Sequence, residues 1–317
     1  MPDLNHQFKK KYIVDLLMYY NATPKNINNS KLKYYLLSRH LYPGSNGYRV
    51  IEAFFRSHRS LHRSIFTLLN NNFAPFLRQL SEFFCYLRDL QIEAKMILKY
   101  RNMLTDFHSW LVLNDIKDPG SVDAGLCLDY LYSRHYTSLY SPADLQVFVD
   151  ALKLYFKTCH FRNIPLDSLT SHVKIHQFNY DFSEYHLHNV LGHIQNKQLK
   201  LLLIFIIHMG LPMQALLPTK IKDLDLFNQC LVYKGVHSGQ TLYYPFDRKF
   251  KTKISELFEM SGENILFDSY RPGLDSAEAL FREFAFALLN ARLPAKLANS
   301  ILENLHYGVF QGIFPRN

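Results

Sequence analysis

The sequence predicts a mainly α-helical fold with one small antiparallel β-sheet, and three stretches support this. Leu201 to Ile207 is an unbroken apolar run closed by Gly210 and Pro212, the pattern of a helix buried on all sides and then stopped. Leu231-Val232-Tyr233 and Leu242-Tyr243-Tyr244 are β-favouring segments around His237-Ser238-Gly239, which predicts a hairpin. Ser141 followed by Pro142 opens a segment whose apolar residues, Phe148, Ala151, Leu152, Tyr155 and Phe156, recur at helical spacing. No parallel doubly wound sheet fits this alternation.

Length and composition set the outer bounds. The 317 residues suffice for two or three domains, and 48% hydrophobic content marks a globular chain. The formal net charge of +9 favours a polyanionic partner, nucleic acid first and an acidic membrane surface second. The Leu201–Ile207 run is far short of the roughly 20 apolar residues that span a bilayer, so no membrane span is expected, and with nucleic acid ranked first no membrane partner is expected either. Cys85, Cys127, Cys159 and Cys230 stand singly, with no C-x-x-C pair, which points away from zinc and disulfides and toward a reducing cytoplasm. His186 and His188 lie two apart and share no helix face, so neither a metal nor a cofactor is expected.

Taken in order, residues 1–77 read as a helical N-terminal region, broken at Asn21-Ala22-Thr23-Pro24 and at Pro43 to Gly47. Its start is an amphipathic helix over Tyr12 to Tyr20 and not a signal peptide. Arg56, Arg59 and Arg63 are spaced to share one helix face, either as a solvated surface or as phosphate contacts. Asn70-Asn71-Asn72 and Pro75 mark an expected boundary. Residues 78–161 then form a domain of four helices, beginning at Glu82, over Lys95 to Val112, over Val122 to Tyr132, and from Ser141. A polar stretch over 162–181, containing Pro165, reads as a linker. Residues 182–317 form the last domain, with the buried helix, the hairpin, and helices over Phe250–Ser261, Ser276–Asn290 and from Pro294 to near Leu305.

Several strings in this order resemble the tyrosine recombinases, the family of phage integrases and Xer-type enzymes. Glu82 to Leu87, Tyr100-Arg101, Phe107 to Leu111, Asp129-Tyr130-Leu131 and Ala151 to Phe156 are similar to the family's SAM-like core-binding domain. Met209-Gly210-Leu211-Pro212-Met213-Gln214-Ala215-Leu216-Leu217 is similar to T-G-L-R-x-x-E-L-L, Ile221 to Asp225 to W-x-D-I-D, and Phe284 to Ala291 to F-A-T-x-L-L-x-A. The resemblance covers about residues 80–314. It implies a two-domain architecture, a helical core-binding domain plus a catalytic-like domain, with residues 1–77 as an extra helical region.

The departures from the family pattern bear on activity. Family enzymes hold the scissile phosphate with two arginines, a hairpin lysine and histidine-like donors while a tyrosine attacks it. Charge accumulates at the phosphate in that transition state, so cationic donors are needed there. Pro212 stands in the first arginine's place, and the H-x-L-R motif falls on Glu278-Ala279-Leu280-Phe281. The later histidine falls on Asn304, the nucleophile near Ile313, and the hairpin lysine on His237. Arg282, Tyr307 and Lys234 lie close to the right places, but one residue along a helix turns a side chain by about 100°.

The resemblance therefore implies no catalytic residues and a retained grip on double-stranded DNA. The expected contacts are Lys95, Lys99 and Arg101, Lys153 and Lys157, Lys220 and Lys222, and Lys234 and His237, joined by Arg56, Arg59 and Arg63. Arg248, Lys249, Lys251 and Lys253 extend the basic set beyond the hairpin. Val147 and Phe148 stand where related core-binding domains carry basic residues, which speaks against sequence-specific contact from that helix. The implied role is an inactive, nucleoid-associated accessory factor in recombination, integration or transposition of a mobile element. Two alternatives stand beside it: a structural subunit that joins an active recombinase or further copies of itself, docking through Phe310 and Phe314, and an active recombinase with displaced catalytic residues.

Overall fold

Seven buried side chains, Phe66, Leu69, Phe73, Phe76, Leu80, Phe83 and Leu87, alternate at three- and four-residue spacing and write a single long helix. A computed structural model of the chain describes residues 3–57, 63–133, 139–158, 184–195, 200–202, 204–205, 213–216, 218–258, 282–283 and 285–293. The N-terminal part holds α1 (Asp3–Tyr20), α2 (Asn29–Ser38), α3 (Asn46–Ser57) and the long α4 (Arg63–Asp89). Next come α5 (Ala94–Leu113), α6 (Ala124–Tyr132) and α7 (Leu145–Thr158). Beyond them lie α8 (Glu184–Gly192), the short α9 (Met213–Leu216), strands β1 (Leu224–Asp225), β2 (Cys230–Lys234) and β3 (Thr241–Pro245), and α10 (Arg248–Phe258).

The break expected at Asn70–Asn72 and Pro75 is instead the middle of α4. Pro75 lies on the exposed side, so the carbonyl its ring leaves unpaired faces water, and the apolar stripe on the other side carries the helix through. The expected start of the first core-domain helix at Glu82 is likewise interior to α4. Residues on both sides of 77 belong to one hydrophobic cluster, running from Leu16 to Phe156 and taking in Leu242 of β3. The extra N-terminal helices thus share their core with the four-helix segment.

Other local expectations hold with small shifts. Asp123 caps α6 by accepting the Leu126 amide at 2.8 Å, which sets the third helix's start. Ser141 and Pro142 lead into a single 3-10 turn before α7, and the Asp144 carboxylate accepts both the Ser141 amide (2.9 Å) and its hydroxyl (2.7 Å). The hairpin pairs antiparallel with Leu231 opposite Tyr244 and Tyr233 opposite Leu242. Leu224–Asp225, not expected as a strand, adds a third in the order β1-β2-β3. Leu201, Leu202, Ile204 and Phe205 of the apolar run are buried. The linker over 162–181 and the helix from Pro294 lie outside the described residues, and of the helix over Ser276–Asn290 residues 282–283 and 285–290 are described as helical.

Candidate nucleic-acid interface

The sheet does not stand apart from the helical body. At the end of α5, the buried Asn114 donates to the Trp110 carbonyl (2.7 Å) and accepts the Tyr243 amide of β3 (2.8 Å). Lys33 of α2 pairs with Asp115 at 2.6 Å and lies 4.3 Å from the centre of the Tyr243 ring. Asn28 donates to Asn228 in the β1–β2 turn (2.8 Å), and the Lys31 ammonium sits 4.1 Å over the Phe227 ring. Burial, with Lys251 as a like-charged neighbour, lowers the Lys31 pKa against the pull of Asp225.

A second junction lies at the hairpin tip. The Asp129 carboxylate of α6 accepts the His237 amide (3.1 Å), the Ser238 amide (3.0 Å) and the Ser238 hydroxyl (2.5 Å). The approach is so close that side chains are excluded on both surfaces. A Cβ at Gly235 would fall 2.2 Å from an Asp129 oxygen, and one at Gly125 would fall 2.6 Å from the His237 carbonyl oxygen. Gly239 completes the turn at φ +66°, a conformation that glycine adopts without cost.

The expected contact residues fall into distinct groups on this frame. Lys95 and Arg101 of α5, Lys157 of α7, and Lys220 and Lys222 before β1 are exposed. None of these five has a carboxylate within ion-pair distance among the described residues. Lys99 is already engaged: its ammonium meets Asp144 at 2.7 Å and, with the Ser141 donors, draws that carboxyl down to about 2. Lys153 is half-buried. On the hairpin, Lys234 donates to the Thr241 hydroxyl at 2.9 Å, and burial lowers the His237 pKa although Asp129 opposes it. A neutral His237 is a poor substitute for a cationic lysine.

Arg56 and Arg63, expected on one helix face, fall in two separately described helices. Arg56 lies in the last turn of α3 and pairs with Glu52 at 2.7 Å, whereas Arg63 opens α4. Arg59 lies outside the described residues, as do Pro212, Glu278, Phe281, Asn304, Tyr307, Phe310, Ile313 and Phe314. Arg282 is described and exposed. Asn114, Asp115 and Asn28 carry junctions with no sequence signal, and Asp129 stands out in the sequence only within the string Asp129-Tyr130-Leu131 and not as a hairpin contact, since single polar residues on helices give no sign of a partner about 80 to 200 positions away.

Among the described residues, no cluster of three or more His, Cys, Asp or Glu is placed to hold a metal ion, and no helix is long and apolar enough to cross a membrane. No family model and no curated protein matches the chain. Among solved structures, the chain is similar to a crystal structure of XerA recombinase at 17% identity, over 75% of this chain and 85% of that one, with a TM-score of 0.30.

Proposed function

We propose that this chain is a DNA-binding protein of tyrosine-recombinase-like layout without strand-cleaving chemistry, acting as an accessory factor in recombination, integration or transposition of a mobile element. The observation that carries this reading is the set Lys95, Arg101, Lys157, Lys220 and Lys222, exposed and without ion-pair partners among the described residues, on a chain of net charge +9. Cations in that state release counterions when they meet a phosphate backbone.

The case against cleavage rests on residue chemistry. Pro212 and Phe281 replace two guanidinium donors and Glu278 brings a negative charge, while removing even one such donor costs roughly a hundredfold to a thousandfold. A duplex nicked near the bound site traps any covalent phosphotyrosyl intermediate. The proposal expects no denaturation-resistant adduct under conditions where the protein binds. An adduct that disappears in Tyr307→Phe would establish an enzyme instead.

A second reading, a structural subunit of an active recombinase assembly, draws on Phe286 and Leu289. They are 65% and 73% exposed, one helical turn apart. Gel shifts on duplex DNA with and without a partner recombinase separate the two: binding by the chain alone supports the first, and a shift only with the partner supports the second.

A further inference from the structure

The hairpin tip has the form of an anion site whose occupant is supplied by the protein itself. Successive backbone N–H groups at His237 and Ser238 point the same way and, with the Ser238 hydroxyl, converge on one carboxylate. Adjacent amides arranged in this manner form the concavity that binds phosphates in many turns. The turn is braced from within: the Gly239 amide donates to the Gly235 carbonyl (2.9 Å), the Gly235 amide to the Gln240 carbonyl (2.8 Å), and the Gln240 amide to the Ser238 hydroxyl oxygen (3.2 Å). Lys234, three residues before His237, stands exposed on the adjoining strand with its ammonium on the Thr241 hydroxyl.

We propose that this tip is a phosphate-binding site, held closed in the resting protein by Asp129, and that a backbone phosphate of bound nucleic acid takes the carboxylate's place as the tip lifts away from α6. This rests on the DNA-binding reading for the source of the phosphate, but the site itself does not. Asp129 is 7% exposed and belongs to α6, so it holds the hairpin against the helical body as an internal competitor for the same donors. Exchange requires an incoming anion backed by other contacts, and the exposed cations Lys220 and Lys222 precede the same sheet. Asp129 thereby sets a threshold: isolated anions compete poorly, and a long phosphate backbone competes well.

The test follows hydrogen exchange at the His237 and Ser238 amides in the full chain, with inorganic pyrophosphate as the first probe and a duplex as the second. Wild type should protect both amides with or without pyrophosphate. Asp129→Ala should lose that protection and recover it when pyrophosphate is added. The same variant should bind the duplex about tenfold more tightly than wild type, because one charge-assisted competitor has gone. Asp129→Asn keeps the shape of the side chain and should give an intermediate result, which guards against a folding defect in the alanine variant. Ser238→Ala in the Asp129→Asn background should weaken recovery by pyrophosphate. If neither pyrophosphate nor duplex restores protection in a folded Asp129 variant, the tip is not an anion site and the proposal is overturned. If pyrophosphate restores protection but no variant binds duplex, the site stands and the DNA-binding reading fails.

Discussion

Asn114 and Tyr243, 129 positions apart, are joined by a 2.8 Å hydrogen bond in which a buried carboxamide oxygen accepts a strand amide. The bond ties the end of α5 to β3 and, with Leu242 in the main hydrophobic cluster, makes the sheet part of the helical body. Asn114→Ala leaves that amide without its acceptor. The expected loss is about 1–3 kcal/mol of unfolding free energy in a urea titration. Probes of the helices and of the hairpin should still unfold together.

Gly125→Ala should also destabilise, against helix propensity. Alanine favours a helix over glycine by about 1 kcal/mol, yet here its methyl would meet backbone atoms of His237 and Ser238 at 2.6 to 2.8 Å. Backbone cannot step aside as a flexible side chain can, so the hairpin must lift. A net cost of about 1–3 kcal/mol is expected, with faster hydrogen exchange over residues 235–240.

Acid should weaken the fold through His108. Its ring is enclosed by Phe76, Phe107 and Tyr155, its Nδ1 has no hydrogen-bond partner among the described residues, and burial pushes its pKa down to about 3 from 6.5. Above pH 6.5 the imidazole is neutral folded or unfolded, and it contributes no pH slope. As pH falls from 6.5 toward 3, the unfolded chain takes a proton that the folded one refuses, and stability falls by about 1.4 kcal/mol per unit. His40, lowered to about 4 by burial and then by Arg39, acts in the same direction. Asp106, raised to about 6 by burial against its Tyr140 hydrogen bond, acts in the opposite one. The difference between wild type and His108→Phe across this range isolates the His108 part: the variant should lose stability less steeply between pH 6.5 and 4.

Local signals in the sequence carried much of the fold. The β-favouring segments around His237-Ser238-Gly239 gave the hairpin with its pairing, and Ser141-Pro142 gave the start of the fourth helix to within a turn. The reading failed where two local rules competed. Asn70–Asn72 and Pro75 are breakers by composition, but the seven buried side chains from Phe66 to Leu87, each worth about 1.5–3 kcal/mol, outweigh the roughly 3 kcal/mol cost of an interior proline. The site was half legible for a different reason. Exposed cations such as Lys95 and Lys222 can be picked out by charge, whereas the engagement of Lys99 by Asp144 and of the hairpin tip by Asp129 depends on long-range contacts with no local pattern.

Those engagements sort the cations by what each can give to DNA. Lys95, Arg101, Lys220 and Lys222 have no ion pair to break among the described residues, and Lys99 must first give up Asp144. Duplex affinity measured by fluorescence anisotropy across a range of salt concentrations is the most direct test of the DNA-binding claim. The logarithm of affinity should fall linearly with the logarithm of salt, and each phosphate contact should add close to one unit to the slope. Removing Lys95 and Arg101 together, or Lys220 and Lys222 together, should flatten the slope by about two units, and Lys99→Ala by less. Affinity that is indifferent to salt and to these substitutions, or absent at low salt, would contradict DNA binding and leave the protein-interaction role in its place.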